Sequence, residues 1–96
     1  MTDRLPRDTD VRWRRAEATL WRRTLDGVVV LPVEHPAPLS LHGPAAGIWE
    51  LLADARTFAE LMAAVTSTYA VDGDVAAAEV RTALDALVDA GALCRN

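Results

Sequence analysis

Apolar and polar residues alternate early in the chain, and later the period lengthens. In VRWRR (11–15), Val11 and Trp13 alternate with Arg12 and Arg14, a two-residue period that predicts a strand. TLWRRTLDGVVVLP (19–32) predicts a hairpin. Asp26 and Gly27 form a favoured pair for a two-residue turn whose central positions both need positive φ. The arms would be Leu20–Thr24 and the β-branched Val28–Leu31. In PAPLSLHG, Leu39 and Leu41 alternate with Ser40 and predict a short third strand at about 37–41. Pro36 and Pro38 share parity, so the N–H groups they lack would have pointed the same way. Proline cannot donate to a sheet ladder, which predicts an edge strand whose pairing improves toward Leu41.

From Gly43 onward the apolar period becomes helical. Gly43 suits an N-cap and Pro44 the first helical position. Ala45, Ile48, Trp49 and Leu52 then recur at i, i+3, i+4 and i+7. A second helix opens with TFAE, in which Thr57 and Glu60 can form a capping box, and its stripe is Phe58, Leu61, Met62, Val65 and Tyr69. After the turn AVDGD, Asp74 is expected to cap a third helix with the stripe Ala77, Val80, Leu84, Leu87 and Val88, closed by Gly91. Leu93 is expected to pack back onto the core. The predicted fold is α+β and winged-helix-turn-helix-like, with an N-terminal three-stranded antiparallel sheet followed by three helices. Residues 1–10 are read as a flexible tail and 11–96 as one domain.

The chain has 96 residues and a net charge of −4. Residues 1–25 hold seven arginines against four acids, whereas 26–96 hold three against ten. The basic end is either an arm for an acidic partner or a solvated strand face. One cysteine, Cys94, leaves no disulfide framework, and no apolar run is long enough to span a membrane. A cytoplasmic location is expected. No catalytic set is readable from spacing. His35, His42 and Cys94 match no metal-ligand pattern, so neither a metal nor another cofactor is expected. The third helix sets Asp74, Glu79, Asp85 and Asp89 against Arg81, which disfavours contact with a polyanion.

An exposed edge strand can capture an extended peptide. If the third helix lay alongside it, Leu39 and Leu41 on one wall and Val80, Leu84 and Val88 on the other would line an apolar groove. Arg81 and Asp85, an i, i+4 pair, would flank it. The same leucines and valines fit a core role equally well.

The segments GVVVLPVE (27–34), PLSLHGPAAGIWELL (38–52), TFAELMAAVTSTY (57–69) and VAAAEVRTALDALVDAGAL (75–93), in this order and spacing, resemble the PqqD-like family. Its members are recognition elements for ribosomally made, post-translationally modified peptides. The resemblance implies a non-catalytic module that binds the leader of a precursor peptide as a strand added to the third strand, packed on the third helix. The module would present it to a modifying enzyme or leader peptidase, with a lasso-peptide pathway as first candidate. Mapped here, the contacts are Pro38, Leu39, Ser40, Leu41, Ala77, Val80, Arg81, Leu84, Asp85 and Val88. Two alternatives stay open: a winged-helix nucleic-acid binder using the arginine arm, and a structural subunit that docks on an enzyme. The chain is expected to be a monomer or a weak homodimer.

Overall fold

The computed structural model describes residues 11–34 and 37–95. The strands β1 (Arg12–Arg15), β2 (Leu20–Thr24), β3 (Gly27–Leu31) and β4 (Leu39–His42) lead into α1 (Pro44–Leu51). A two-residue strand β5 (Arg56–Thr57) precedes α2 (Phe58–Tyr69), and α3 (Gly73–Asp89) is followed by β6 (Leu93–Arg95). The described residues form an α+β fold with three helices and two antiparallel sheets of order β2-β3-β4 and β5-β1-β6. The expected tail over 1–10 lies outside the described residues, as do His35 and Pro36.

The second sheet was not expected. The VRWRR strand leaves the hairpin and pairs with the ends of the helical half: Arg12 sits opposite Thr57, and Arg14 opposite Cys94. Trp13 is thereby buried against the core. That core is continuous from Val28 and Val30 through Ile48, Trp49 and Leu52 to Leu61, Val65, Val80 and Leu87. Leu93 packs against it as expected.

The hairpin turns one residue earlier than the sequence predicts. Thr24 pairs with Gly27, so the central residues are Leu25 and Asp26. Neither has positive φ, and nor does Gly27. Gly27 serves close approach instead: a Cβ there would collide with the Leu41 carbonyl of β4. Because that obstacle is backbone, Gly27→Ala should destabilise the fold by about 1–3 kcal/mol, the range for overpacking. A urea titration checks this, and an unchanged midpoint would show that β4 yields without penalty.

The helix ends follow local chemistry. Gly43 is the N-cap of α1 with Pro44 behind it, and Thr57 and Glu60 complete the capping box of α2. At the end of α3, the N–H of Ala92 donates to Leu87 and that of Gly91 to Val88, with Gly91 at φ 77°. This double closure needs a left-handed residue, which glycine supplies without strain. Two expectations for α3 are corrected. Its N-cap is Asp72 rather than Asp74, and the Asp72 side chain makes no cap hydrogen bond. Its buried face is Ala76, Val80, Ala83, Leu84 and Leu87, rotated away from Ala77 and Val88, because alanines rather than larger residues meet the neighbouring elements.

Candidate functional site

The first part of the site is the free edge of β4. Among the described residues the strand pairs with β3 on one side only, with Val30 opposite Leu39, Val29 opposite Ser40 and Val28 opposite Leu41. A two-residue turn makes Thr24 and Gly27 a hydrogen-bonded pair, so the backbone groups of Gly27 point to β2. Alternation then turns Val28 and Val30 toward β4. Leu41 and Leu39 point back at them, and the N–H and C=O groups of Ser40 and His42 point out of the sheet. Pro38 shares this outward parity, so the N–H it lacks belongs to the free edge and not to the β3 ladder. The strand begins at Leu39, with Pro38 just before it. Ser40 and His42 are exposed, and Leu39 is half-buried.

The second part is the outer ridge of α3. Arg81, Asp85 and Val88 are exposed and Ala77 is half-buried along one side of the helix. Arg81, Leu84, Asp85 and Val88 line a cavity of about 150 Å³. Its opposite wall is Val11, Trp13 of β1, Phe58 and Arg95, not β4. Arg81 lies over the Phe58 ring at 4.5 Å from its centroid. The expected Arg81–Asp85 ion pair is absent among the described residues, because the aromatic face holds the guanidinium instead.

Three of the ten residues singled out from the sequence are corrected as open groove walls. Val80 is 0% exposed, Leu84 3% and Leu41 7%, and all three belong to the core cluster. Leu84 still reaches the floor of the α3 cavity. The other seven, Pro38, Leu39, Ser40, Ala77, Arg81, Asp85 and Val88, keep surface available. Helix α1 packs on both β4 and α3 and so fixes the two parts on one scaffold.

That scaffold is secured by arginines. Arg15 Nε donates to the Trp49 carbonyl at 2.9 Å and its terminal nitrogen to the Glu50 carbonyl at 3.2 Å. Arg56 Nε donates to the Leu51 carbonyl at 3.1 Å. These carbonyls lie in the last turn of α1, where each also accepts the backbone N–H of Leu52, Ala53 or Asp54, and where positive charge complements the helix dipole. The Arg15 guanidinium stacks 4.4 Å from the Trp21 ring and 5.0 Å from the Trp49 ring, and the two rings meet edge to face at 6.1 Å. Burial lowers the Arg15 pKa from its ordinary value, opposed by the nearby Glu50 carboxylate. Glu50 also takes a two-pronged ion pair from Arg23, at 2.7 and 2.8 Å. The signal for this cluster was the interleaving of tryptophans with arginines, but its acceptors lie on a helix about thirty residues away. Arg15→Ala should therefore destabilise the fold by about 2 kcal/mol, from two lost charge-assisted hydrogen bonds and two lost aromatic contacts. Glu50→Ala should lose under about 1 kcal/mol, since it removes mostly exposed pairs. Equal losses in denaturant titrations of the two variants would contradict this ranking.

Among the described residues, no three His, Cys, Asp or Glu side chains come together as metal ligands. His42 Nδ1 lies 3.2 Å from the Asp26 carbonyl, and Cys94 is exposed on β6. No helix among the described residues is long and apolar enough to cross a membrane.

A sequence model of the family described as coenzyme PQQ synthesis protein D matches residues 27–93, which run from β3 through β4 and the three helices to β6. The chain belongs to the PqqD family. Among solved structures it is similar to the PqqD truncation of Methylobacterium extorquens PqqCD, at 20% identity and a TM-score of 0.71, over 92% of this chain and 93% of that one. That protein is described as a functional and stand-alone recognition element for ribosomally synthesised and post-translationally modified peptides. At this identity the likeness concerns the fold. It extends beyond the segment matched by the family model, into residues before β3. Comparison with curated proteins returns no match. The β4 edge and the α3 ridge both lie inside the segment that defines PqqD membership.

Proposed function

We propose that this PqqD-family chain is a non-catalytic module that captures the leader segment of a ribosomally made precursor peptide. The observation that carries the proposal is the free β4 edge, with the N–H and C=O groups of Ser40 and His42 turned outward. An extended peptide adds there as a strand, and the ladder supplies affinity that does not depend on sequence. Leu39 and the α3 ridge of Ala77, Arg81, Asp85 and Val88 read its side chains. Pro38 ends the ladder at one side and sets where the peptide registers. Leu41, Val80 and Leu84 hold the two walls from beneath. The folded unit from residue 11 onward is a winged-helix-like domain that acts as a monomer or a weak homodimer. It presents the bound leader to a modifying enzyme or leader peptidase, and a lasso-peptide pathway is the first to test.

The support lies in the PqqD family match and in the description of the Methylobacterium extorquens relative as a recognition element. No observation favours nucleic acid instead. The exposed face of α3 carries Asp74, Glu79, Asp85 and Asp89, and three arginines of the arm are paired with Glu50 or Glu60.

The test is a fluorescence-polarisation titration with labelled synthetic peptides encoded by short open reading frames found beside the gene for this chain. It is run at low and moderate salt with a short DNA duplex in parallel. Saturable leader binding that survives salt is the expected result. Salt-sensitive duplex binding without leader binding would overturn the proposal.

A further inference from the structure

An antiparallel sheet with one face on the core usually turns a polar face to water. The outer face of β2-β3-β4 does not. Val28 and Val30 of β3 are buried toward the core, so Gly27, Val29 and Leu31 point away from it. Strand pairing carries that parity to Leu20, Arg22 and Thr24 of β2 and to Ser40 and His42 of β4. Leu20 stands directly opposite Leu31, and Val33 follows just past the end of β3. Leu20 is 67% exposed, Leu31 42% and Val33 67%. Val29 adds a half-buried side chain, and Arg22 is the only Arg, Lys, Asp or Glu at these outward strand positions. A cluster of large apolar side chains left in water on one face marks a contact surface.

Two observations choose what covers it. The patch is small: three aliphatic side chains, each already partly covered, fall well short of the about 800 Å² that each partner of a standard interface buries. Closure against a second copy would therefore be weak. The face also borders the free edge of β4. A peptide paired on that edge sets the side chains opposite Ser40 and His42 on this same outer face, and so extends it. A protein seated there meets the module and its captured peptide together, which supplies the missing area.

We propose that the outer face of β2-β3-β4 seats the enzyme that acts on the captured leader, with an apolar patch of that enzyme laid over Leu20, Leu31 and Val33. The choice of partner rests on the leader-capture reading, whereas the apolar face itself does not. A nucleic acid would find Arg22 as its one strand cation there.

The probes are the purified enzymes encoded beside the gene for this chain. Each is titrated into the whole chain labelled with a fluorophore at Cys94, the sole cysteine, which lies on the other sheet. The titrations are run with the chain alone and with the chain saturated with its peptide. Saturable binding of one enzyme is expected, tighter in the peptide-bound state. Leu20→Lys/Leu31→Glu replaces the apolar pair with an opposite-charge cross-strand pair, which keeps the hairpin paired. It should weaken enzyme binding about tenfold or more and bind the peptide at full strength. Leu25→Lys, at the exposed hairpin tip away from the patch, should bind the enzyme as the unmodified chain does. Circular dichroism confirms that the variants fold. The proposal is overturned if no enzyme binds, if the double variant binds the enzyme at full strength, or if Leu25→Lys loses as much. It is overturned too if sedimentation shows a stable dimer of the unmodified chain that the double variant abolishes. Peptide binding is read separately in the same experiment, so failure of leader capture appears as a peptide that does not bind, and failure of this proposal as an enzyme indifferent to Leu20 and Leu31.

Discussion

Ser40→Pro should weaken leader binding about tenfold or more and leave the stability of the free domain almost unchanged. Ser40 is exposed and stands opposite Val29 at a position where the two strands exchange no ladder hydrogen bonds. Its N–H points to the free edge, so proline removes a donor that only an added strand would use. One ladder bond contributes about 1 kcal/mol net, and the pyrrolidine ring also obstructs the approach of the peptide backbone. Together these set the tenfold scale. Leu39→Pro is the contrasting variant. Leu39 pairs with Val30 inside the sheet and packs on the core, so its replacement should lower the urea midpoint as well as binding. If Ser40→Pro binds the leader at full strength, the peptide does not pair with β4.

Trp49→Ala should come close to unfolding the protein. Trp49 is 0% exposed, sits in the core between sheet and helices, and forms the aromatic floor under Arg15 and Trp21. Deleting a buried tryptophan costs about 3–5 kcal/mol, against a total stability of about 5–15 kcal/mol for a domain. It also frees Trp21 and loosens the Arg15 contact at the end of α1. Trp49→Phe should be far milder. The indole Nε1 is buried with no hydrogen-bond partner among the described residues, so phenylalanine keeps most of the apolar contact and removes an unsatisfied donor. Thermal melts of the two variants give the comparison. Similar melting temperatures would show that the core closes around the cavity and that Trp49 is not its keystone.

The local parts of this structure were legible in the sequence. Pro44 after Gly43, the Thr57–Glu60 box and Gly91 each act through neighbouring residues, and the helices begin and end close to where those residues predict. The shared parity of the prolines marked β4 as an edge. Which backbone groups faced outward was not legible, because parity becomes direction only once the hairpin register is known. Asp26-Gly27 pointed to the wrong turn, since glycine was needed there for the approach of the Leu41 carbonyl and not for positive φ. The second sheet was invisible for a similar reason. β5 has two residues and β6 three, too short for any period, and both exist only because β1 pairs with them over long separations in sequence. On α3 the hydrophobic period put Val80 and Leu84 on the groove and the core equally, and burial decides for the core. The ridge of Ala77, Arg81, Asp85 and Val88 was within reach of the pattern once alanines counted as buried residues.

The most direct test of strand capture is amide hydrogen exchange of the unmodified domain, free and saturated with the leader peptide. The predicted result is strong new protection at Ser40 and His42, while Leu39 and Leu41, already bonded to β3, change little. Protection confined to α3, with Ser40 and His42 still exchanging freely in the bound state, would contradict it.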